Sequence, residues 1–342
     1  MKVKLISLFF LLLIFAACGE KDHCCDTPGD YSKGIFVVNE GPFGGSGTIS
    51  WHNPDTGETR DSLFEKANNG AVLGQFVQSL CFHNDKAYIV VNGAGRVVVV
   101  DARTFQFIDT IGGLAQPRFF LPLDETTAYV SQWGADGLTG SVAKINLNSN
   151  TVIATIPTGK GPEKMIRVGD KVLVANSGGY GKDSTLTEIS LPAETTQLLP
   201  LAGGLNPATL AWDGARLYFL CKGYYLDPAQ TGWLGTLTGG SAGVPTPPNS
   251  DDLSLDNRSG SLFFLGGAQV YKVAPGGTTP AVFIASGLQT PYGLSFDSER
   301  DLLYCADTKD YVTPGTVYVF NPAGVPVDSF RTGVLPGEIV VK

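Results

Sequence analysis

Histidine is scarce in this 342-residue chain, with only three, and methionine is scarcer, with two. His23, His52 and His83 are spread through the first quarter of the sequence, so a multi-histidine metal site or a Ser-His-Asp constellation has little to draw on. Charge is also sparse, at 16% of residues, and acids outnumber bases by 32 to 24. Nucleic-acid backbones demand clustered Lys and Arg, so this acidic balance excludes them as the partner. No segment after residue 17 is apolar enough to span a bilayer, and no long stretch shows the 3.6-residue periodicity of a helix. Zinc-type cysteine spacing is missing as well: Cys81, Cys221 and Cys305 stand alone in apolar strand-like runs and read as small buried hydrophobes. His23 beside Cys24-Cys25 offers at most an adventitious metal contact.

Glycine and apolar residues are abundant, at 43 glycines and 43% hydrophobic, which suggests many short strands joined by tight turns. The start of the chain has a different character. Met1-Lys2-Val3-Lys4 leads into about a dozen apolar residues, then Ala16-Ala17-Cys18, then the charged "GEKD". A basic start, a run too short to cross a membrane and small residues at its end describe a secretory signal. The cysteine directly after Ala16-Ala17 makes it resemble a bacterial lipoprotein signal, with Cys18 acylated; a plain cleaved signal is the alternative. The expected organisation is a signal over residues 1–17, a polar tether over 18–33 and one domain over 34–342. Loss of residues 1–17 removes two lysines and no acid, taking the formal charge from −8 to −10. The membrane would be met through lipid alone. The residues after Cys18, Glu20-Lys21-Asp22, resemble the export label of surface lipoproteins, which implies an outer-membrane lipoprotein facing outward.

The domain repeats. "VQSLCFHNDKAYIVV", "NPATLAWDGARLYFL" and "TPYGLSFDSERDLLY" each hold an apolar strand, a polar turn and a second strand. A third and fourth strand follow in "GSVAKINLNSNTVIATIPTG" and its counterparts, so the unit is a four-stranded propeller blade. The central apolar residues of the first strands are Leu80, Phe120, Met165, Leu210, Leu253, Leu294 and Ile339, spaced 40 to 45 residues apart. Residues 34–64 lack a first strand and residues 336–342 supply one, so the two ends should complete a seventh blade. The fold expected is an all-β, seven-bladed propeller of four-stranded antiparallel blades.

On these motifs residues 34–342 resemble the YncE-like seven-bladed propellers. The opening "IFVVNEGPFGGSGTISWHNPDTGE" with "GQFVQSL" is similar to surface lipoproteins that accompany TonB-dependent transporters, among them the BtuG-type cobalamin-capturing proteins. The resemblance implies a non-enzymatic capture module without a cofactor of its own. Its ligand would be a large small molecule such as a corrinoid, and its partner a TonB-dependent outer-membrane transporter.

Where the ligand should sit follows from the loops. Connections between second and third strands, and links from each blade to the next, lie on one rim. Five of the seven second-to-third loops carry aromatics. The expected ligand-binding set is Trp133, Tyr180, Tyr224, Tyr225 and Tyr311, with Phe76, Arg118, Lys164 and Tyr292 from the blade links. Asn176, Asp183 and Gln230 would meet a ligand's amides. Phe43 and Trp233 are expected to cover neighbouring blades instead. Two further classes compete: a protein- or glycan-binding scaffold using the same stacked rings, and a metal-dependent hydrolase built on Glu40, Asp136, Asp183, Asp227 or Asp307. Each of those carboxylates also suits an ordinary turn.

Overall fold

The computed structural model describes residues 29–224, 226–227, 229–237 and 241–342. Cys18, Cys24, Cys25, His23 and Tyr225 lie outside the described residues. Seven sheets of four antiparallel strands form the molecule, in the order expected from the repeat. Six are continuous in sequence. The seventh is the composite: Pro336–Val341 pairs with Ile35–Asn39, which pairs with Thr48–His52, which pairs with the two-residue strand Thr59–Arg60. That last strand is too short to cover its neighbour. A single helical turn, Leu63–Ala67, follows it, packs on Thr48–His52 and buries Leu63 and Phe64.

The hydrophobic core is divided as the ring requires. Side chains alternate along a strand, so one set faces the preceding blade and the other the following blade. Ala87, Ile89 and Val91 pack toward Phe36, Val38 and Ile49 of the composite blade. Tyr88 and Val90 of the same strand pack toward Phe120 and Val130 of the next blade. Among the described residues there are seven such clusters, one at each blade interface. The interface that closes the ring joins Tyr304, Val317 and Phe330 to Ile35, Val37 and Ile339. Among the described residues no helix is long and apolar enough to cross a membrane. Cys221 and Cys305 are buried in these interfaces and Cys81 is half-buried; all three are free thiols. Burial pushes the Cys81 thiol up to about 12, so it is inert at neutral pH.

Candidate functional site at the axial mouth

The innermost strand of every blade shares one irregularity. Its pairing with the second strand shifts register near its start: between Val77 and Ser79, Pro117 and Phe120, Pro162 and Met165, Pro207 and Thr209, Asp251 and Leu253, and Pro291 and Gly293. The composite blade shifts at the matching place, opposite Pro336 and Ile339. A bulge places an extra residue in one strand and re-aims its side chains. Consecutive side chains can then face the axis together, as Arg118 and Phe119, Glu163 and Lys164, Asp251 and Asp252 do. Proline begins five of these seven strands, where its missing N–H costs no ladder bond.

The result is a polar pit of about 80 Å³ on the axis, room for one small polar group. Three cations and five carboxylates line it. Each cation is claimed. Arg118 Nε donates to Glu163 at 3.0 Å, and its Nη1 to Gln78 Oε1. Lys164 Nζ donates to Asp252 at 3.0 Å, and Lys222 Nζ meets Asp251 at 2.6 Å. Glu40 and Glu338 are left with neutral donors: the Tyr292 hydroxyl at 3.1 Å and the Leu80 N–H at 2.8 Å. Burial raises the Glu40 carboxyl, against the opposing pull of Arg118 and Tyr292. Burial also pushes Glu338 up to about 7, with Lys164 opposing. Tyr292 is raised well above its usual value by burial and by Glu40.

This has a pH consequence. The folded state holds a proton on Glu338 that the unfolded chain releases near 4.5. The stability from that proton is therefore fully present below about 4.5 and is lost as pH rises through 7. The loss should be of order 3 kcal/mol between those limits. Glu338→Gln should flatten this part of the profile in urea unfolding measured at pH 4.5, 6 and 8. An unchanged slope in the variant would show that Glu338 does not carry it.

Above the pit stands the rim. The Arg118 guanidinium lies 4.5 Å from the Trp133 ring centroid, and Tyr180 meets that ring edge-on at 5.5 Å. The Tyr180 hydroxyl donates to Gln116 Oε1 at 3.0 Å, yet the side chain is 65% exposed. Gly137 makes this possible, because a Cβ there would overlap the Tyr180 ring. Trp133 Nε1 is buried without an acceptor, a cost of about 1–3 kcal/mol that packing alone does not explain. Across the rim Tyr311 is half exposed and lies 6.4 Å from Tyr292, and Tyr224 carries Lys182 Nζ at 4.1 Å over its ring. Phe76 is half-buried, 6.3 Å from Phe43.

Several expected residues take other places. Phe43 does not cover a neighbouring blade: it is 94% exposed, lifted by positive-φ backbone at Gly41 and Gly44. Trp233 does pack inward, against the interface holding Phe219 and Cys221. Asn176 is wholly buried, and its amide donates to Thr185 and Thr187 hydroxyls at 2.9 and 3.0 Å, so it clips a sheet together rather than facing a ligand. Asn39 makes the same clip in the composite blade, to Ser50 Oγ at 2.8 Å. Asp183 accepts the Lys160 and Thr185 N–H groups and shapes its turn. Gln230 is exposed at the rim. Lys164 sits deep on the axis rather than on the rim. His52 stacks on Phe330 at 4.1 Å, far from the pit. Among the described residues no group of three or more His, Cys, Asp or Glu is placed to hold a metal.

The residues that sequence reasoning missed are Gln78, Glu163, Lys222, Asp251, Asp252 and Glu338. A signal was present. Two residues before each first-strand anchor stand Gln78, Arg118, Glu163, Ala208, Asp251, Tyr292 and Gly337, all of which line the pit.

Fold and site together define a class: a seven-bladed β-propeller with an aromatic rim over a charged axis. Residues 33–197 match a family model described as a domain of unknown function (DUF5074). No curated protein matches the sequence. Among solved structures, similarity extends to a quinonprotein alcohol dehydrogenase-like protein from Bacteroides thetaiotaomicron, with TM-score 0.68 and 17% identity over 91% of this chain and 79% of that one. A periplasmic gluconolactonase from Pseudomonas aeruginosa is similar at TM-score 0.67 and 14% identity, over 90% of this chain and 99% of that one. A candidate 6-phosphogluconolactonase from Bacteroides fragilis is similar at 0.67 and 13%, over 91% and 98%. At these identities the likeness is one of fold.

Proposed function

We propose that this propeller is a ligand-capture module whose rim, from Phe76 and Trp133 round to Tyr311, receives a large small molecule with apolar faces and amide edges. The observation that carries the reading is the Arg118–Trp133–Tyr180 stack: a half-buried indole and an exposed phenol ring set beside the charged pit. Such a surface suits a corrinoid such as cobalamin, in the manner of the BtuG-type proteins, for transfer to a TonB-dependent transporter. The chain enters the described domain on the opposite face, where the Gly34 N–H donates to the Lys342 carbonyl and Tyr31 packs on Trp51 and Phe105. A lipid anchor at Cys18 would therefore join the domain on the face away from the rim. Truncating a central aromatic at a binding site often costs about 2 kcal/mol, roughly thirtyfold in affinity. Calorimetric titration with cobalamin should show that loss in Trp133→Ala and Tyr224→Ala. Tight binding unchanged in both would move the site off the rim.

A second reading, lactone hydrolysis, has one observation in its favour. Glu40, whose carboxyl burial raises beside Tyr292 and near Arg118, is an acid–base candidate next to a cation that could face an oxyanion. Turnover of a sugar lactone that vanishes in Glu40→Gln would select it over capture.

A further inference from the structure

The axis has a second mouth. On the face opposite the rim the innermost strands open into a funnel of about 760 Å³, within the usual size of a small-molecule site. Part of its wall is apolar, from Phe82, Leu121, Met165, Ile166, Leu210 and Phe296, and part is polar, from Asn257, Ser298, Glu299 and Arg300. Most of these apolar side chains are only half-buried, so they leave apolar surface facing the funnel. At its floor lie Lys164 and Glu338, which also line the pit on the other side and so separate the two cavities.

The charge at that floor is unbalanced in one direction. Every cation lining the funnel is already engaged. Lys164 donates to Asp252. Arg300 pairs with Asp297 at 3.1 Å, and Lys342 Nζ donates to the carbonyls of Tyr31 and Ala102 at 3.0 and 2.7 Å. At the floor Glu338 makes no ion pair and has only the Leu80 N–H on one oxygen. A carboxylate left so at the base of a cavity with one apolar wall favours a ligand that brings a positive charge and hydrogen-bond donors. An anionic head reaching the floor would meet only Lys164, which is already paired with Asp252.

We propose that this funnel is a second binding site, distinct from the rim, for an apolar primary amine whose ammonium reaches Glu338 and whose hydrocarbon body lies on the Phe82–Phe296 wall. From Glu338 to Lys342 the strand rises roughly 13 Å, so an eight-carbon chain fits within the depth. The site is independent of the corrinoid reading, since none of its wall residues belongs to the rim.

Three probes of one chain length test it: octylammonium, 1-octanol and octanoate, titrated calorimetrically at pH 8, where Glu338 is ionised. The full-length protein should bind octylammonium about tenfold or more tighter than octanol, with octanoate weakest. Glu338→Gln keeps an acceptor for Leu80 and should erase the amine's advantage while leaving octanol within about twofold. The ranking on unaltered protein stands without any variant. Octanoate binding as tightly as the amine, no binding by any probe, or an undiminished amine preference in Glu338→Gln would each overturn the proposal.

Discussion

A chain lacking residues 335–342 is expected to lose most of its stability and to aggregate. Pro336–Val341 is the innermost strand of the composite blade, and it sits between Ile35–Asn39 and the neighbouring blade's Pro291–Asp297. Its removal uncovers the edge of Ile35–Asn39, whose free N–H and C=O groups then template pairing with other chains. It also withdraws Ile339 from the closing interface, the Glu338 acceptor from Leu80, and the Lys342 donor from Tyr31 and Ala102. Fully burying each large aliphatic side chain is worth about 1.5–3 kcal/mol. Ile339 is buried and Val340 and Val341 partly so, a loss of several kcal/mol against the net stability of a typical domain, about 5–15 kcal/mol. Thermal unfolding should move down by more than about 10 °C, and size exclusion should show soluble aggregate. A truncated protein that melts within a few degrees of the intact one would mean the ring does not close through this strand.

The second large effect is expected on the axis. Glu163→Ala takes from the Arg118 guanidinium its hydrogen-bonded carboxylate, leaving Gln78, the Trp133 face and the more distant Glu40, and breaking one side of a buried pair costs about 3–5 kcal/mol. The double variant Arg118→Met with Glu163→Leu removes both charges and should recover much of that loss. Lys171→Ala, which breaks a pair with the lysine half exposed, should cost under about 1 kcal/mol. Urea unfolding of the four proteins decides it. Equal costs for Glu163→Ala and Lys171→Ala, or a double variant no more stable than Glu163→Ala, would contradict the charge arrangement.

The blades were legible because each is a local object. Strand, Asx or Gly turn and strand again fall within about 43 residues, and seven copies reinforce one another. The composite blade could be read because each end of the chain lacks what the other supplies. The axis was harder. Gln78, Arg118, Glu163, Ala208, Asp251 and Tyr292 are 40 to 45 residues apart, and all but Ala208 look like polar residues at the start of a strand. Only ring closure brings them within a few ångströms, and only the bulge turns adjacent residues such as Asp251 and Asp252 inward together. Asn176 shows the converse error: a loop-like "NSGGYG" context suggests exposure, while the residue is the last of its strand and bonds across the sheet. Phe43 was misjudged because aromatic side chains usually find packing, while the positive-φ glycines around it leave it exposed with only the Phe76 ring near.

The central claim is that recognition belongs to the rim and its axial pit. Hydrogen exchange of the full-length protein, with and without saturating cobalamin, tests it most directly. Slowed exchange should appear in loops 92–95, 131–140, 176–184 and 307–315, with no change in the turns 101–106 and 146–151 on the opposite face. Protection confined to those opposite turns, or no protection anywhere at saturation, would contradict the account.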